Sequence, residues 1–304
     1  MSNTLIAEII ESIGRGDSAS INSYLRTIEH AYAMDGTKTK FYSHMIALDG
    51  NGNVRLDDFV EFLIRHIIEY VIPKSRILEA IEKDKETGLS THIVRLYRDA
   101  ARLFTPLKTT GEGGELLLFV LGEVLLNLPQ LFCKMSAKTS SGVHFHGADG
   151  VHVGLDEQGK LELYWGESKF HSTFESAISD CLDSISPILK KENDSDLEDL
   201  LLLQTHLDLG NAKYTEAVKQ ILNKDNVEFN SVKYCGLCLI GFNHDLYGST
   251  ITDAIIKENF DAWKKSMGTR LTNRKLEEFN IHFFCLPVIC VDTFRKRFLE
   301  RLGL

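Results

Sequence analysis

The chain has 304 residues, room for one large or two ordinary domains with a full core. Apolar content of 43% and charged content of 25% belong to a folded globular chain and exclude a disordered one. The formal net charge of −9 argues against a protein that grips nucleic acid unaided, because phosphate neutralisation supplies most of that affinity.

In chain order, Asn3–Ile13 is predicted to be an amphipathic helix with Leu5, Ile6, Ile9, Ile10 and Ile13 on its apolar side. Phe41–Leu48 reads as a strand and Asp49–Asn53 as a tight turn. The Asp49-x-Asn51-x-Asn53 spacing imitates the opening of an EF-hand. That loop fails where Val54 replaces the required glycine and Val60 the closing glutamate, so a turn is expected and not a calcium site. Helices are predicted over Leu56–Val71, Ser75–Glu86 and Thr91–Leu103. The breakers and small polar residues from Thr105 to Gly114 mark the best boundary, dividing a mixed, possible partner-binding region at 1–108 from a second unit at 109–304.

Beyond the boundary come a helix at Glu115–Leu128, a strand at Phe132–Lys138, a hairpin at Asp149–Lys169 and a helix at Ser172–Leu189. Helical runs continue to about Leu222. They are followed by strand Lys233–Phe242, helix Thr252–Met267, strand Phe279–Val288 and a basic helix Thr293–Leu302. The most apolar stretch, Leu116–Phe132, is broken by Glu123, Asn127 and Pro129, and so reads as a buried helix and not a membrane span. No leader-like start is visible, and a cytoplasmic protein is expected. Cys235 and Cys238 sit three apart in a strand and face opposite sides, so buried thiols are favoured over half a zinc knuckle. Trp263–Leu304 carries nine Lys/Arg against four acids, equally readable as solvated helix faces or as a phosphate-contacting patch.

The chemistry concentrates in the hairpin. Side chains alternate along a strand, so Leu163, Trp165, Glu167 and Lys169 share a face, and pairing sets Asp149 across from Glu167. Two carboxylates beside an ammonium make a hard-cation site next to a water-orienting lysine, suited to phosphodiester hydrolysis. Both Glu167 and Lys169 are expected to be exposed at a strand end. The bland alternative is a turn aspartate and a solvated strand end. A helix glutamate often completes such a site, and Glu112, Glu115 and Glu123 are the candidates. Glu112 and Glu115 read equally well as first-turn acids favoured by the helix dipole, whereas Glu123 lies in an apolar run where a carboxylate needs a partner. Lys134 and Lys138 are readable as phosphate contacts or solvated ends. His144, His146, His152 and His171 leave a zinc hydrolase as a competing reading.

An acid, a hairpin and then Glu-x-Lys on the next strand resemble the PD-(D/E)XK nuclease superfamily. The resemblance is closer still to one branch, HamA, the nuclease subunit of Hachiman antiphage defence. It rests on Gly111-Glu112-Gly113-Gly114-Glu115, on Lys134 to Ser140, on His146 to His152 and on Trp165-Gly166-Glu167-Ser168-Lys169. It implies a mixed α/β fold with a restriction-endonuclease-like αβββαβ core, helical insertions and an N-terminal mixed region. It also implies a deoxyribonuclease using Mg2+, with Mn2+ as a substitute, held by Asp149, Glu167 and Glu115. Lys169 would serve as the catalytic lysine, DNA as substrate and a helicase subunit as partner, with no membrane association. The rival readings are a restriction- or resolvase-type nuclease with a defined site or branch preference, and an inactive nuclease-like adaptor.

Overall fold

The structure, a computed structural model, describes residues 3–14, 18–107, 109–133, 135, 148–191, 195–248 and 250–304. Seven strands form one mixed sheet. From edge to edge these are β1 (Leu25–Ala33), β2 (Lys40–Ile46), β7 (Ile281–Val288), β6 (Lys233–Asn243), β5 (Leu161–His171), β4 (Gly150–Leu155) and β3 (Gln130–Cys133). The central strands β2, β7, β6 and β5 run parallel, and the outer pairs are antiparallel. Parallel strands are covered on both faces, which is why β7 is buried at every position and is apolar apart from His282.

Helices lie on both faces. On one side, α8 (Phe174–Lys190) follows β5 and α11 (Asp253–Asn273) follows β6; Phe174 stacks on Trp263 of α11 and meets Phe242 of β6 edge-on. On the other side lie α3 (Leu56–Ile64), α7 (Glu112–Leu126) and α12 (Val291–Leu302). There Phe170 of β5 stacks on Phe294, which also meets Phe59. The remaining helices are α1 (Asn3–Ile13), the short α2 (Ser18–Ile21), α4 (Ile67–Val71), α5 (Lys74–Thr87), α6 (Thr91–Ala101), α9 (Ser195–His206) and α10 (Ala212–Leu222). Among the described residues no helix is long and apolar enough to cross a membrane.

The expected elements recur with local differences. The run expected as one helix from Leu56 to Val71 breaks into α3 and α4, where the His66 amide donates to Leu63 O at 3.0 Å and tightens the turn. Helix α7 starts at Glu112, one turn before the expected Glu115, and takes Gly113 and Gly114 into its first turn. Glycine propensity argues against that start, and packing overrides it. A Cβ on Gly114 would stand 2.5 Å from Ser168 Oγ and 2.7 Å from the Phe170 ring, so only glycine lets α7 lie this close to β5. Strand β1 has no counterpart among the expected elements. Through the β2–β7 pairing, strands from before the Thr105 boundary share a sheet with those after it. The Asp49 turn is as expected: its carboxylate accepts from the amides of Asn51 and Asn53 at 2.8 Å each and from the Asn53 side chain at 3.0 Å.

Candidate active site

Strand β5 pairs antiparallel with β4 through the turn at Asp156–Lys160, with Gly150 opposite Gly166. This register brings Asp149, just before β4, beside the end of β5. The Asp149 amide donates to Gly166 O at 2.8 Å, and its carboxylate Oδ2 accepts from the Ser168 amide at 2.9 Å. Two residues from Glu167, Lys169 Nζ meets Glu167 Oε1 at 2.5 Å. Asp149, Glu167 and Lys169 therefore come together as the alternation of side chains predicted.

Their burial departs from expectation. Glu167 is only 3% exposed and Lys169 is half-buried, because β5 is an interior strand and α8 covers this face. Cys181 of α8 donates to Glu167 O at 3.6 Å, and Cys238 sits in register beside Glu167 on β6. Burial alone would push the Lys169 ammonium down. The Glu167 carboxylate, by charge and hydrogen bond, and then the charge of Asp149 outweigh it and hold the pKa above its usual value. Lys169 is thus held in its charged, donating form. Burial pushes the Cys181 thiol up, reinforced by Cys238 and the Glu167 charge, so it stays protonated.

The helix glutamates have separate duties. Glu112, 3% exposed, accepts from the Thr105 amide at 2.7 Å and from its hydroxyl at 3.0 Å, pinning the loop to the start of α7. Glu123 accepts from the Gln130 amide at 2.8 Å, which answers the need of a carboxylate in an apolar run. Glu115 accepts from the Tyr70 hydroxyl at 3.2 Å. Among the described residues no three His, Cys, Asp or Glu side chains converge on one metal position, so Glu115 does not join Asp149 and Glu167 in a three-acid cluster. The reason is placement: Gly114 seats the start of α7 on the Ser168 and Phe170 face of β5, whereas Glu167 faces α8.

Of the histidines, His152 is buried against α7 with Nδ1 2.8 Å from Leu128 O, and burial brings its pKa down to about 4, so it is a neutral core residue. His171 pairs with Asp180 at 3.0 Å. Lys134, Lys138, His144 and His146 lie outside the described residues. Cys235 and Cys238 are free buried thiols, as expected. Many of the C-terminal cations are engaged in ion pairs: Lys264 with Glu29 and Asp261, Arg274 with Asp183, Arg297 with Asp57 and Glu300. Sequence reasoning placed Arg295 in the basic helix but missed its contact: the guanidinium donates to Phe170 O at 2.8 Å and ties α12 to the site end of β5. It also missed the Ser168 amide and Tyr70, since no local pattern announces such long-range partners.

Two carboxylates and a protonated lysine on one hairpin suit a hard divalent cation that keeps several waters, because oxygen donors fit it and two acids leave coordination positions for water. The family model described as HamA matches residues 22–302. No curated protein and no solved structure matches the chain.

Proposed function

The chain belongs to the HamA family of Hachiman defence proteins, and on that premise we propose that it is a metal-dependent nuclease that hydrolyses phosphodiester bonds in DNA. The carrying observation is the meeting of Asp149, Glu167 and Lys169 at one end of the β4–β5 hairpin. The reading includes a PD-(D/E)XK-type core, little sequence specificity and control by a partner helicase. The net charge of −9 and the ion-paired C-terminal cations support delivery of DNA by that partner.

Asp149 and Glu167 would hold Mg2+ or Mn2+, which supplies Lewis-acid stabilisation of the phosphate and a more acidic water. The chain's own residues do the rest. The Ser168 amide fixes the Asp149 carboxylate. Lys169, kept protonated by Glu167 and Asp149, directs an ammonium hydrogen bond at a phosphate oxygen or at the attacking water. Glu115, held by Tyr70, stands outside this pair. The test is cleavage of plasmid DNA by the chain with its helicase partner. Mg2+ or Mn2+ should support it and a chelator stop it; undiminished cleavage in chelator would refute the proposal.

A further inference from the structure

Strand β5 carries ionisable side chains at both ends. At the start, Glu162 accepts from Tyr164 Oη at 2.8 Å and from the Asn280 amide at 3.4 Å, so its carboxylate is satisfied within the sheet. His282 lies over the Tyr164 ring at 5.3 Å, and burial and then the nearby Lys40 charge bring it down to about 4. At the far end, the face that bears Glu167 and Lys169 continues to His171, the last residue of the strand. Alternation sets His171 roughly 7 Å beyond Lys169 on that face. The β6 register agrees: His171 lies beside Phe242, whose ring meets Phe174 of α8 and Trp263 of α11 on the same side of the sheet.

The His171 imidazole is held from outside the strand. Its Nε2 lies 3.0 Å from Oδ2 of Asp180, the α8 residue just before Cys181, whose thiol bonds the Glu167 backbone. The other ring nitrogen, Nδ1, makes no hydrogen bond among the described residues. The side chains are 36% and 53% exposed, so a bound molecule can reach the ring. An ion pair this open adds little to stability, and the fold does not call for it. A histidine with one nitrogen fixed by a carboxylate and the other open is suited to proton transfer near neutral pH.

We propose that His171 is the general acid that protonates the departing oxygen in phosphodiester hydrolysis, with Asp180 as its positioning residue; the inference rests on the nuclease reading. In-line displacement sets the departing ester oxygen opposite the attacking water. With water attacking from the Asp149 and Glu167 end and Lys169 on a non-bridging oxygen, the departing oxygen points along β5 toward His171. The water oxygen bonds to phosphorus as the bond from phosphorus to the ester oxygen breaks. The imidazolium Nδ1 proton passes to that oxygen, giving an alcohol and a neutral imidazole. The proton shed by the water goes to solvent, and solvent reprotonates the ring.

The test is cleavage of two DNA duplexes by the chain with its helicase partner. One duplex is natural; in the other, sulfur replaces the departing ester oxygen at one linkage, the ends of the natural products showing which oxygen departs. A thiolate leaves without needing a proton. His171→Ala should slow the natural linkage about 10²–10³-fold and the sulfur linkage less than about twofold. Asp180→Asn should show a smaller loss of the same kind. Calorimetric titration of apo His171→Ala with Mn2+ should match the parent, a readout independent of cleavage. Parent-like cleavage of the natural linkage by His171→Ala, or an equal loss on both linkages, would overturn the proposal. Lost Mn2+ binding would make His171 a metal ligand and overturn it too. Absence of cleavage by the parent itself would refute the nuclease reading and, with it, this inference.

Discussion

The two ends of strand β5 each bury a carboxylate, and they satisfy it differently. Glu167 is matched by the Lys169 ammonium at 2.5 Å, whereas Glu162 is held by the neutral donors of Tyr164 and Asn280. Burying a charge without a partner is costly, so each end has recruited one. The partners set what each end can do. An ion pair flanked by Asp149 favours a cation and a phosphate; at the other end Tyr164 and Asn280 fix the Glu162 carboxylate within the sheet.

Activity should separate the two ends most clearly. Lys169→Met is expected to slow DNA cleavage about 10²–10³-fold, the usual cost of removing one aimed donor, and Glu167→Gln to abolish it. Glu162→Gln should cleave like the parent. A comparable loss in Glu162→Gln, read as initial rates on supercoiled plasmid, would mean the two ends are not separate.

The pH dependence of stability also distinguishes the two ends. The folded pKa of His282 is depressed to about 4, so its contribution is present above its ordinary 6.5 and is lost as pH falls from there to 4, at about 3 kcal/mol. His44 and His152, also brought to about 4, add to that acid limb. Lys169 is raised above its ordinary 10.5, so its contribution holds below that value and is lost as pH climbs through the higher folded pKa. Denaturant unfolding across pH should show His282→Gln flattening only the acid limb and Lys169→Met only the alkaline one. Identical limbs in both variants would contradict the assignments.

A smaller effect tests how α7 meets the site end. Gly114→Ala must move Ser168 or Phe170 and should cost about 1–3 kcal/mol. The fall should appear in the denaturant midpoint with the slope unchanged. A neutral result would mean that α7 is free to shift and that its close seat is not needed.

Much of this was legible in the sequence. Strict alternation on β5 placed Glu167 with Lys169, the Asp156–Lys160 turn set the register that brings in Asp149, and the crossover helices followed from apolar periodicity. Strand β1 was not, because residues such as Arg26, Glu29 and His30 put polar side chains along an edge strand and leave little apolar signal. The burial of Glu167 was hidden for a different reason: it comes from α8 and β6, whose proximity no local pattern encodes. The position of Glu115 shows the same limit. A glutamate at a helix start can be read from sequence, but the face on which that helix lands is decided by Gly114 packing on Phe170. The polar set around Glu162 draws on β5 and β7, so it forms only once the sheet is assembled.

Asp149 and Glu167 are expected to share one divalent cation. Calorimetric titration of the apo chain with Mn2+ tests it without recourse to cleavage. Stoichiometric binding is expected in the parent, in Glu162→Gln and in Glu115→Gln, and should be lost in Asp149→Asn and Glu167→Gln. Parent-like Mn2+ binding by both of the latter variants would contradict it.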